Sequence, residues 1–95
     1  EYILSKQLLR CGTAIGAQVR EAERAESKAD FVHKLGIANK ETGETDYWIS
    51  LLRDSGLVEE KLANSFLADC EELQKLLVSS IKTAKGSIRL KLKSL

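Results

Sequence analysis

Six side chains could do chemistry through type and spacing. Glu41 and Glu44 lie three residues apart, and Asp30 and His33 form a single D-x-x-H. Cys11 and Cys70 are the only thiols. Two carboxylates on one helical face can share a proton or hold a cation, and D-x-x-H resembles half of the E-x-x-H pattern in carboxylate-bridged di-iron bundles. That chemistry needs a second such motif and further glutamates, whereas His33 is the only histidine and lies about two helical turns from Glu41. A structural role is the better reading: Glu41 and Glu44 are expected to pair with Arg20 or Arg24, or across a subunit boundary. A pair of that kind fixes register more than it adds stability. One histidine also rules against Ser–His–acid and Cys–His arrangements. The cysteine spacing matches neither a zinc site nor a redox motif, so both read as reduced core thiols. No cofactor, metal or catalytic residue is expected, and the chain reads as a non-enzyme.

The elements that must position these residues are helices. The chain contains no proline, and apolar residues recur at four-three steps through three long segments, about 3–25, 28–53 and 59–85. The first stripe is Leu4, Leu8, Cys11, Ile15, Val19 and Ala22. The second seam is Phe31, Leu35, Ala38, Thr42, Thr45, Ile49 and Leu52, a seven-residue rhythm suited to helices crossing at about 20°. The third stripe is Leu62, Phe66, Cys70, Leu73, Leu77, Ile81 and Ala84. Ser27 with Asp30 three residues on reads as a capping box, and Gly56 as a left-handed stop. Gly86 reads as a further cap, leaving residues 86–95 as a tail in which apolar and basic residues alternate, either frayed or strand-like. Short connections between long helices give an all-α, antiparallel up-and-down bundle in a single domain, residues 1–95.

With 95 residues and a net charge of +1, the chain lacks the basic excess of a dedicated nucleic-acid binder. Its charge is uneven, however. Lys6, Arg10, Arg20 and Arg24 recur on one face of the first helix, and Lys82, Lys85 and Arg89 follow near the end with no acid among them. These seven are the candidate phosphate contacts. No run of about 20 apolar residues could cross a bilayer, and no leader opens the chain. It starts at Glu1 rather than methionine, which reads as a trimmed or partial product.

Gly12 and Gly16 stand one turn apart inside the first helix, where each costs about 1 kcal/mol relative to alanine. Such a pair lets another backbone approach closely, from the second helix or from a neighbouring subunit. Tyr47 and Trp48 are a second candidate contact. Ile37, Trp48 and Leu51 give the second helix another apolar face, more than a lone chain can cover, so a homo-oligomer is expected.

Three stretches together, "SKQLLRCGTAIGAQVREAERAESKADFVHKLGIA", "KETGETDYWISLL" and "DCEELQKLLVSSIKTAK", resemble a bacterial four-helix-bundle family. Its members are encoded by intervening sequences of large-subunit ribosomal RNA, and relatives include the accessory variability determinant of diversity-generating retroelements. Family members carry a further helix ahead of the stretch that opens this chain, so three of four helices are expected here. Gln18 stands where asparagine is usual and Ala14 where serine is usual, while Asn39 and Gly43 replace better helix formers. The resemblance implies a cytoplasmic homo-oligomer, a pentamer, without known catalysis, whose partner is structured RNA or a reverse transcriptase.

Overall fold

The computed structural model describes residues 2–93, and side chains for 2–86 and Lys93. Three helices occupy nearly all of it: α1 (Tyr2–Glu23), α2 (Lys28–Asp54) and α3 (Glu60–Lys93). They run up, down and up, with no strand among the described residues. Ser27, in extended backbone, caps α2 by accepting the Asp30 N–H at 3.1 Å, leaving one of the four orphan amides fewer to satisfy. At the other end Gly56, with φ of 73°, takes the left-handed conformation that turns the chain toward α3.

Helix α2 is the centre. It packs along α1 on one side and α3 on the other, while α1 and α3 do not pack against each other. The body is accordingly long and thin, 56 × 19 × 14 Å. Leu35, Ala38, Thr42, Thr45, Ile49 and Leu52 of the expected seam are all buried. The core divides into two apolar clusters. One gathers Ala22, Leu35, Ala38 and Leu77, flanked by Val19, Phe31, Leu73 and Ile81. The other gathers Ile49, Ala63 and Cys70, flanked by Leu8, Val58 and Leu67. Between them Thr42 and Thr45 form a buried polar waist, each hydroxyl donating to a carbonyl one turn back, on Ala38 at 2.8 Å and Glu41 at 2.9 Å.

The third helix departs from expectation twice. Its first buried residue is Ala63, while Leu62 and Phe66 stay about half exposed at 49% and 47%. Since α1 does not close onto α3, the Leu62–Phe66 side has no facing helix. The tail is also helical: α3 continues through Gly86 to Lys93. Gly86 is not a cap, and the backbone of residues 86–93 is helix rather than strand, while residues 94 and 95 lie outside the described residues.

Candidate functional site

Three of the six candidate side chains, Cys11, Glu41 and Glu44, converge with Arg10 where α1 and α2 face each other, while Cys70 sits in the second apolar cluster. Arg10 leans across α2 and its Nη2 donates to Glu44 Oε2 at 2.9 Å and to Cys11 Sγ at 3.1 Å. Its Nη1 lies 3.7 Å from Glu41 Oε2, an oxygen buried without a hydrogen-bond partner. The Cys11 thiol donates a long contact, 3.7 Å, to the same Glu44 oxygen. Glu41 and Glu44 thus pair with Arg10, not with Arg20 or Arg24. The hairpin geometry explains the correction. The chain folds back at residues 24–27, so positions matched about residue 27 meet: Arg10 reaches Glu44, and Glu21 reaches Lys34 at 2.8 Å. Arg20 and Arg24 lie too near the turn to reach residue 41.

Electrostatics make this a structural cluster. Burial pushes the Cys11 thiol above its ordinary range, with Arg10 opposing and the two glutamates reinforcing the rise. A thiol held protonated is a poor nucleophile and metal ligand. The hydrogen bond it donates to Glu44 is the main reason the Arg10 guanidinium is held still more firmly protonated, with the neighbouring sulfur adding to it. Cys11 and the two carboxylates have donor atoms within 4.8 Å of one another, close enough to ligate one ion. The position a cation would take is already contacted by Arg10, and the set contains no imidazole. His33 is exposed on α2, about 12 Å along the helix from Glu41 at 1.5 Å per residue.

The remaining candidates fall elsewhere. Lys6, Arg10, Thr13, Ala17 and Arg20 form one exposed face of α1, with Arg10 committed to the glutamates, and Arg24 is exposed in the turn that follows. Lys82 and Lys85 are exposed on α3, and Arg89 lies outside the described side chains. A Cβ added to Gly12 or Gly16 would meet nothing within 4 Å, so neither glycine supports close packing inside the chain. Tyr47 is 59% exposed and meets the half-buried Trp48 edge to face, with centroids 5.1 Å apart and planes at 71°.

One feature escaped the sequence reading. Where α1 and α3 fail to meet, an open groove of about 490 Å³ runs between them, floored by Ile49 and walled by Leu8, Leu9, Gly12, Phe66 and Leu73. The signal was present in α3, whose Leu62–Phe66 edge widened the stripe beyond what α2 alone could cover.

The fold and these stretches agree with one family. The 23S rRNA-intervening sequence protein model matches residues 1–79. The chain belongs to that family. A crystal structure of a protein of unknown function from the S23 ribosomal protein family of Bacteroides thetaiotaomicron superposes with a TM-score of 0.84 at 50% identity. The match covers 86% of this chain and 73% of that one. No curated protein matches the chain. The all-helical bundle is thus the family's architecture, and no enzyme family is indicated. Among the described residues no helix is long and apolar enough to cross a membrane.

Proposed function

We propose that this chain is a non-catalytic, cytoplasmic assembly module: copies associate through the groove between α1 and α3, and the assembly binds structured RNA. The area left exposed supports association best. A compact protein of 10.5 kDa exposes about 5,400 Å², whereas this chain exposes 6727 Å². The excess is comparable to one partner's share of a stable interface, about 800 Å² or more. It includes Leu9 at 72%, Phe66 at 47% and Leu62 at 49% exposure. The RNA half of the reading rests on the family's link to 23S rRNA and on the exposed basic residues of α1 and α3. The cluster at Arg10 argues against catalysis, because its thiol is protonated and its carboxylates are tied to a guanidinium.

Two measurements test the reading. Sedimentation velocity over a hundredfold concentration range should show a species larger than 10.5 kDa, which Leu9→Lys with Phe66→Lys converts to monomer while helicity by circular dichroism is kept. A wild-type chain that stays monomeric throughout would end the assembly half. Binding of a labelled RNA hairpin should weaken steeply with salt, as phosphate contacts release counterions. Assembly without RNA binding at low salt would favour the second reading, a bundle whose partners are polypeptides, which the apolar groove alone would serve.

A further inference from the structure

The antiparallel arrangement sorts the charges by end. The end of α1, the start of α2 and the later part of α3 lie together, since Ala22, Lys28 and Ala84 border one depression. Residues 18–39 and 76–86, which make up this end, carry six basic and four acidic side chains. Residues 2–17 and 40–75 carry six basic and nine acidic. A chain whose net charge is only +1 is therefore polarised along a 56 Å body.

Ordinary structural needs do not account for the basic end. Cations near helix C-termini complement the macrodipole only within the last turn. Arg20 fits that description, but Lys82 and Lys85 lie well before the end of α3 at Lys93. Acids do not neutralise them either. Glu21 is taken by Lys34, and Arg20, Arg24, Lys82 and Lys85 have no ion-pair partner among the described residues. Beside them Lys28, Ser79, Ser80 and Thr83 border a shallow depression of about 400 Å³. Thr83 already donates its hydroxyl to the Ser79 carbonyl at 3.0 Å, and Ser79 and Ser80 add hydroxyls beside the amines, groups from which phosphate oxygens accept hydrogen bonds.

We infer that the basic end, formed by Arg20, Arg24, Lys28, Lys82 and Lys85, is the surface that grips the phosphate backbone of structured RNA, while the acidic end points away from it. This rests on the reading that the protein binds RNA and adds where and in which orientation. Diffusing molecules are turned by the two opposite poles, so encounter is oriented before contact is made. Lys6 and Arg10, on the same face of α1, lie at the acidic end and take no part.

The test is fluorescence anisotropy with a labelled RNA hairpin, titrated at several salt concentrations. Arg20→Gln, Arg24→Gln, Lys82→Gln and Lys85→Gln are combined in one variant. A control combines Lys6→Gln, Lys61→Gln and Lys75→Gln. Circular dichroism first confirms that both keep the wild-type helix content and melting. The basic-end variant should bind at least tenfold more weakly, with the slope of log Kd against log salt reduced by about one per lost phosphate contact. The control should bind within twofold of wild type. If wild type binds and the two variants are weakened alike or not at all, the assignment to this end is wrong and RNA binding stands. If wild type fails to bind at low salt, the RNA reading itself falls. Displacement of the hairpin by poly-glutamate at equal charge would overturn the choice of RNA over an acidic polypeptide.

Discussion

Adding a methyl group at Gly12 or Gly16 separates helix stability from assembly. Neither position has a neighbour within 4 Å of a new Cβ, and neither backbone is left-handed. Gly36, on the exposed side of α2, is equally open and serves as the reference. Alanine is favoured over glycine in a helix interior by about 0.8–1.0 kcal/mol. Each of Gly12→Ala, Gly16→Ala and Gly36→Ala should therefore stabilise the isolated chain by about that amount, raising Tm by roughly 4–8 °C for a domain this small.

The three should diverge once copies meet. Gly12 lines the groove and Gly16 follows one turn on along α1, so a methyl there occupies space that another helix backbone would use. Thermal unfolding followed by circular dichroism at low and high protein concentration, with sedimentation velocity alongside, reads both effects. At low concentration all three variants should melt above wild type. At high concentration Gly36→Ala should keep its advantage, while Gly12→Ala with Gly16→Ala should lose it and sediment as smaller species. Identical behaviour of the three at every concentration would show that the α1 glycines contact nothing in the assembly. A lower Tm for the α1 variants in dilute solution would refute the open surroundings themselves.

Other outcomes follow from the core. Leu77, 5% exposed at the centre of the first cluster, should cost about 2–5 kcal/mol as Leu77→Ala, measured by urea unfolding. Thr42→Val keeps the shape and removes a buried hydroxyl bonded only to the Ala38 carbonyl, already a helix acceptor. It should leave stability within about 1 kcal/mol and on the favourable side, because both members of the polar contact are not left stranded. Burial raises the Cys11 and Cys70 thiols above their ordinary range. Their stabilising contribution is therefore full below the ordinary thiol value and is lost as pH rises through the folded one. Urea midpoints should fall more steeply above about pH 9 for wild type than for Cys11→Ala with Cys70→Ala, and parallel curves would count against protonated burial.

Much of the architecture could be read from spacing because α2 packs on both sides. Every turn of its seam from Leu35 to Leu52 is buried, so the seven-residue rhythm had a physical cause over the whole helix. The start of α3 misled for the opposite reason. Leu62 and Phe66 keep the period, but nothing in the chain lies over them, and Ala63 takes the inward place. The tail misled because alternating Ile88, Leu90 and Leu92 satisfy a strand period that finds no strand. Of the charged residues, the sequence placed Glu41 and Glu44 in a pair and named the wrong arginines. Symmetry about the turn at residues 24–27 would have selected Arg10. The polarity of charge was hidden by the near-zero total and emerges only when antiparallel order brings distant segments to one end.

The ion pairs at the rim of α2 tie α1 to α2 at two places. Closing α1 onto α3 would bury Leu8, Leu9 and Phe66 within the chain, and hydrophobic burial favours that movement. Half-exposed pairs of this sort add little stability, but they are directional where apolar contacts are not. Two of them, about three turns apart on α1, fix both the rotation and the register of that helix. Apolar packing holds the three helices together, and the charged rim orients α1 on α2.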